Sequence, residues 1–281
     1  MLRRPVLVAA FSGWNDAGDA ATAATEFIQA RFDHVEVASI DPDEFLDFTS
    51  VRPDVKLTDG HLREIEWPRT TITAAEVPGS EHDLAVLQGV EPSLRWRRYC
   101  DAVVEAANEI GAEMVITLGS LLADVPHSRA VSISGICSDA EMVDRLGFEH
   151  TSYEGPTGIV GVLQHACANS ALQSLSLWAS VPHYVAATPN PKVALALVRA
   201  FEGAAGVIID AGELETAAED YERQVSAAVA SDPEVKAFVE RLENAMDEFT
   251  EDASEPTNLP SADAIASDFQ KFLRQKGPEN G

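Results

Sequence analysis

Three short polar turns are where this sequence could do chemistry. The first reads Ser12-Gly13-Trp14-Asn15-Asp16-Ala17-Gly18-Asp19 and lies between an apolar run and an Ala-rich stretch. Strand-to-helix turns of this kind are where α/β proteins collect ligand sites. Backbone N–H groups at a helix start attract anions, but Asp16 and Asp19 oppose one. Those two carboxylates suit helix capping or a bound cation. There is no Lys-Ser/Thr pair, so the turn is not a P-loop. The second turn, Leu118-Gly119-Ser120, closes another apolar run. Ser120 as a nucleophile would need a histidine base and an orienting acid. His127, His150 and His165 follow it, yet no spacing joins them and there is no G-x-S-x-G elbow. The third turn, Tyr153-Glu154-Gly155-Pro156-Thr157-Gly158, has the spacing G-x-x-G-x-x-G through Gly161, not the dinucleotide fingerprint. Proline at a helix start and glycines for close packing also explain it structurally. If all three turns lie on one edge of a sheet, the candidate ligand-binding residues are Ser12, Gly13, Asn15, Asp16, Gly119, Ser120, Tyr153, Glu154 and Gly155. No catalytic residue can be named.

Other chemistries are disfavoured. Seven histidines occur without H-E-x-x-H, and Cys100, Cys137 and Cys167 form no Cys-x-x-Cys pair. No metal site and no cofactor are expected. Scattered cysteines of odd number fit a reducing cytoplasm. The N-terminus runs straight into a strand-like stretch without a signal-peptide core. No apolar run approaches the ~20 residues of a membrane helix. The formal net charge of -26 repels phosphate backbones and anionic lipid, so neither nucleic acid nor membrane is an expected partner. It suits solubility and a basic protein partner. The turn Gly89-Val90-Glu91-Pro92-Ser93 has ordinary local roles: Glu91 pairing with Arg95 or Arg97, and Ser93 capping a helix.

The elements that must hold these turns follow from hydrophobic pattern. Val6–Phe11 is a buried strand, Ala20–Phe32 a helix capped by Asp19, and His34–Ile40 a strand, together a βαβ unit. Leu62–Trp67 and Thr70–Ala75 flank Pro68-Arg69 as a hairpin. His82–Gln88 is a strand, Ser93–Ile110 a helix closed by Gly111, and Glu113–Leu118 and Ala130–Ile136 are strands. Thr157–Trp178 reads as one apolar helix, Val181–Ala186 as a last strand, and Pro189–Phe201 as a helix. Helices follow over Leu214–Ala230 and Pro233–Phe249, then a linker over Thr250–Leu259 and a closing helix over Ser261–Arg274. From residue 210 to the end there are 18 acidic and 6 basic residues. The expected organisation is an α/β domain over 1–209 and an acidic helical region over 210–281. Its fold class is α/β, with helices on both faces of a mainly parallel, mixed sheet.

An ordered set of stretches spans nearly the whole chain: FSGWNDAGDAA, LQGVEPSLRW, TLGSLLADVPHSR, YEGPTGIVGVL, VPHYVA with Pro189-Asn190-Pro191, DPEVKAFVERLE and LPSADAIASDFQKFLR. In that order they resemble the actinobacterial form of the PAC2-like family, the proteasome assembly chaperone 2 family. The resemblance implies a three-layer α/β/α body similar to the phosphorylase/hydrolase-like fold, and a tendency to form homo-oligomers. Eukaryotic and archaeal relatives hold proteasome α-subunits during assembly, some through a hydrophobic-Tyr-x tail. This sequence ends Lys276-Gly277-Pro278-Glu279-Asn280-Gly281, so docking through such a tail is not expected. The resulting expectation is a protein-binding, chaperone-like assembly protein with protein subunits, proteasome components among them, as partners. The alternative is a small-ligand binder or a hydrolase- or ligase-like enzyme using the turns at 12–19, 118–120 and 153–158.

Overall fold

The computed structural model describes residues 2–254 except 59, 61, 138, 139, 151, 152, 186 and 187. In chain order the strands and α-helices begin β1 (Val6–Ser12), α1 (Ala20–Ala30), β2 (His34–Ile40), β3 (Asp54–Thr58), β4 (Leu62–Glu66), β5 (Thr70–Ala75) and β6 (Leu84–Val90). They continue with α2 (Trp96–Glu109), β7 (Met114–Ala123), β8 (Ile133–Cys137), α3 (Ala140–Leu146), β9 (Glu149–His150), α4 (Ile159–Asn169) and β10 (Gln173–Pro182). Three helices close the described chain: α5 (Pro191–Ala205), α6 (Gly212–Ser231) and α7 (Pro233–Ser254).

Eight strands form one sheet in the order β2-β5-β6-β1-β7-β10-β8-β9. The centre, β6-β1-β7-β10, is parallel throughout. β5 joins β6, β2 joins β5 and β8 joins β10 antiparallel, so the sheet is mixed and mostly parallel. Along β1, Val6, Val8 and Ala10 face one apolar layer, while Leu7, Ala9 and Phe11 face the other. A strand covered on both sides needs no polar alternation, which is why it reads as a continuous apolar run. α1 and α5 cover the first face; α2 and α4 cover the second. Because the four central strands share a direction, their C-terminal ends fall on one rim.

Several expectations are corrected. Residues 157–178 are not one helix: α4 ends at Asn169 and β10 starts at Gln173. Ala171, at φ 55°, makes the reversal without glycine or proline. Val181 and Pro182 belong to β10, so the separate strand expected over 181–186 is absent from its described part. β4 and β5 are not a hairpin. β4 pairs with β3 in a separate two-stranded ribbon, whereas β5 enters the main sheet. The turn chemistry agrees with this, because Pro68 cannot serve the primed turns that close tight hairpins. β2 points the same way as β1, but β5 and β6 lie between them. α3 was not anticipated. Residues 255–259 of the expected linker and the helix expected over 261–274 lie outside the described residues.

α6 packs along α5, and α7 on α6. Surface ion pairs tie them to the body: Arg31–Glu213 at 2.6 Å, Lys192–Glu222 at 2.6 Å and Arg129–Asp247 at 2.7 Å. A small apolar cluster of Val225, Val229 and Val239 adds Tyr184 and Phe238 at its edge.

Candidate functional site

The rim brings the three polar turns together. The Ser120 amide donates to the Asn15 carbonyl at 2.8 Å, and the Ser120 hydroxyl donates to the Ala17 carbonyl at 2.9 Å. These bonds stitch the turn after β1 to β7. The third turn is joined through Glu91, at the end of β6. Its Oε1 accepts from Asn15 Nδ2 at 2.8 Å and from the Ile159 amide, the first of α4, also at 2.8 Å. The Glu91 amide in turn donates to the Ser12 carbonyl at 2.9 Å. Glu91 therefore does not pair with Arg95 or Arg97, as local spacing suggested; Arg95 pairs with Glu44 instead. Ser93 does not cap α2, whose N-cap position is Arg95 with no side-chain bond.

Glycines let the walls close. A Cβ at Gly158 would stand 2.3 Å from Asn15 Oδ1, so that close approach admits only glycine. A Cβ at Gly119 would stand 2.8 Å from Trp178 Cε3, so the indole lies flat on the backbone of β7. Asn15 is buried, and its Oδ1 has no hydrogen-bond partner.

Inside this frame lies a cavity of about 620 Å³, a size typical of small-ligand pockets. Trp14, Trp178, Leu121, Leu122, Ile136 and Tyr153 supply its apolar walls, and Ser134, Thr157 and Gln164 its polar side chains. None of the described lining residues carries a charge.

The residues expected from sequence divide into distinct places. Gly13 and Tyr153 line the cavity. Ser12, Asn15, Gly119 and Ser120 form the framework behind it. Asp16 is buried and caps α1: its Oδ1 accepts from the Ala21 amide at 2.7 Å, and its Oδ2 from the Thr22 hydroxyl. That cap had been expected from Asp19, which makes no side-chain capping bond because its own backbone is left-handed at φ 50°. Burial raises the Asp16 carboxyl above its ordinary range, against the opposing pull of the Thr22 and Ala21 bonds. Glu154 and Gly155 are exposed beside Tyr153. Trp14, Leu121 and Leu122 were missed as wall residues although they stand within or next to the polar turns. Ser134, Ile136, Gln164 and Trp178 come from elements whose proximity no local spacing encodes.

Nucleophilic chemistry finds little to work with here. Ser120 is fully buried and its hydroxyl is committed to a carbonyl, not to a histidine. His127 is held elsewhere, with Nδ1 at 2.8 Å from the Tyr184 hydroxyl and Nε2 at 3.1 Å from the Ser226 hydroxyl of α6. The Cys100 and Cys167 thiols are pushed up by burial to about 12 and about 11, which keeps them protonated. Among the described residues no three metal-ligating side chains come together, and no helix is long and apolar enough to cross a membrane.

Comparison with known proteins agrees with this architecture. The family model described as PAC2 family matches residues 10–229. A PAC2 family protein from Streptomyces avermitilis is 44% identical, covers 84% of this chain and 99% of its own, and superposes with a TM-score of 0.78. A Mycobacterium tuberculosis protein described as a proteasome-assembly chaperone homologue is 40% identical over 83% of this chain and 99% of its own, with a TM-score of 0.78. At 15% identity, the Pyrococcus furiosus archaeal proteasome activator PbaB shares the fold alone, with a TM-score of 0.63 over 81% of this chain and 94% of its own. No curated protein matches the sequence. With a mostly parallel α/β sheet, a family match over most of its length and relatives above 40% identity or at it, the chain belongs to the PAC2 family.

Proposed function

We propose that this chain is an assembly-chaperone-like protein whose partners are protein subunits, proteasome components among them. The observation that carries the reading is its 40% identity to the Mycobacterium tuberculosis proteasome-assembly chaperone homologue, across nearly all of that protein. The surface supports it. Val55, Leu57 and Ile65 of the β3–β4 ribbon, Trp67 beside it, and Val35 and Val37 of edge strand β2 are all exposed. A two-stranded ribbon is marginal alone in water, and burying such a row against a subunit is favourable at about 25 cal/mol per Å². We assign this row to protein contact, including contact between copies of the chain, with the acidic helices α6 and α7 offered to basic partners.

Co-expression with the proteasome α-subunit of a Streptomyces or Mycobacterium species tests the reading. Co-purification of the wild type, weakened by Leu57→Asp with Ile65→Asp, is the expected result. Absence of every proteasome component from the purified wild type would remove the proteasome part. Sedimentation as a concentration-independent monomer would remove the self-association.

A second reading is favoured by the uncharged cavity. In it the rim binds a small ligand, with Gly13 and Tyr153 at the wall and Ser12, Asn15, Asp16, Gly119, Ser120, Glu154 and Gly155 shaping or flanking it. Binding fits better than turnover, because the buried Ser120 hydroxyl is already engaged.

A further inference from the structure

The rim cavity discriminates by charge, and we propose that it takes an uncharged, flat aromatic molecule of one or two fused rings. This inference rests on the second reading above and names the chemistry of its ligand.

The shape comes from the walls. The Trp178 indole is fixed from both ends: its Nε1 donates to Ser176 Oγ at 3.0 Å, and its six-membered ring lies on the bare backbone of Gly119. The Trp14 indole and the Tyr153 ring line the same cavity, and the Tyr153 hydroxyl donates to the Pro156 carbonyl at 2.9 Å. A wall with three aromatic side chains favours an aromatic ligand, by offset stacking or edge-to-face contact worth about 0.5–1.5 kcal/mol per pair beyond area burial. Gln164 adds an oriented polar edge, since its Nε2 is fixed on the Ile136 carbonyl at 2.5 Å. Ser134 and Thr157 add hydroxyls. A ligand with one hydrogen-bonding edge is matched; an aliphatic chain leaves the indole faces unused.

The neutrality comes from Glu91. The start of α4 borders the cavity through Pro156, Thr157 and Gly161. A helix start of this kind ordinarily recruits an anion. Here the chain supplies its own anion: the Glu91 carboxylate already accepts from the Ile159 amide. A carboxylate or phosphate ligand would find that helix-start donor already taken and would leave water for a wall whose described residues include no cation. A cationic ligand would have to leave water for a wall without a carboxylate. Only an uncharged ring is free of both costs.

A matched series tests this: indole, indole-3-acetate and tryptamine, titrated into the full chain by calorimetry. The indole N–H resonances of Trp14 and Trp178 report the site, assigned with Trp14→Phe and Trp178→Phe. Saturable binding of indole that shifts both resonances, with the two charged members at least tenfold weaker, is the expected outcome. Leu122→Lys places a cation at the exposed mouth without touching the core, and should narrow the gap between indole-3-acetate and indole. Equal or tighter binding of either charged member overturns the inference and leaves a small-ligand site standing. So does saturable binding that leaves both resonances unmoved. No saturable binding by any member overturns the inference; the second reading falls with it only if a broad small-molecule library also leaves both indole resonances unmoved. Neither result bears on chaperone activity, which co-purification decides.

Discussion

At the strand-end rim, turn meets helix through Asn15, Glu91 and Gly158, groups that are buried or half-buried and touch backbone. At α6 and α7, the body is met by Arg31, Arg129, Lys192 and Arg199, each paired to a carboxylate near solvent. The first arrangement allows no room: one added methyl group has nowhere to go. The second is graded, because each exposed ion pair contributes little and salt screens it. A single sheet thus carries one region set by steric fit and another set by charge, and the two should fail under different stresses.

The largest effect should come from Gly158→Ala. The new Cβ meets the immobilised Asn15 amide, and the loss should be about 3 kcal/mol, read as a lower urea midpoint. If Gly158→Ala unfolds like the wild type, the rim is not sterically set. Glu91→Ala should cost less, about 2 kcal/mol, by leaving the buried Asn15 amide and the first N–H of α4 without their acceptor. Hydrogen exchange at the start of α4 should accelerate with it, and unchanged exchange would contradict the bridge.

On the charged side, His127 supplies a pH test. Burial, and then the nearby Lys192 charge, hold its imidazole below its ordinary value of 6.5, while Glu222 of α6 and Glu243 of α7 pull the other way. The folded state therefore binds a proton less readily than the unfolded chain. The stability this group contributes is present above 6.5 and is lost as pH falls from there through the depressed folded value. Melting temperature should drop across that window in the wild type and drop less in His127→Gln; parallel curves would exclude the role. The smallest effect should be Arg129→Ala, a slight loss of α7 protection that vanishes at 1 M salt. A loss that persists in high salt would mean packing, not charge, holds α7 there.

How far these regions could be read from residues differs for a physical reason. β1 and β7 were legible because strands buried on both faces must be apolar throughout, and the turns that end them are polar and glycine-rich. That made the turns at Ser12 and Gly119 recognisable as strand ends, which meet the turn at Gly155 on one rim only on condition that the strands share an edge. The same logic failed over 157–178, where helix α4 and strand β10 are both buried and the reversal between them uses Ala171, a residue with no turn signature. Glu91 was misread because spacing finds neighbours four residues away, whereas its partners lie 68 and 76 positions off along the chain. The ribbon was misassigned because strand pairing is a long-range choice that the local pattern around Pro68-Arg69 does not encode.

The shared carboxyl oxygen of Glu91 has a mechanical consequence. By holding the loop after β1 and the head of α4 with one atom, it couples these two sides of the cavity, so that a shift of either is passed to the other.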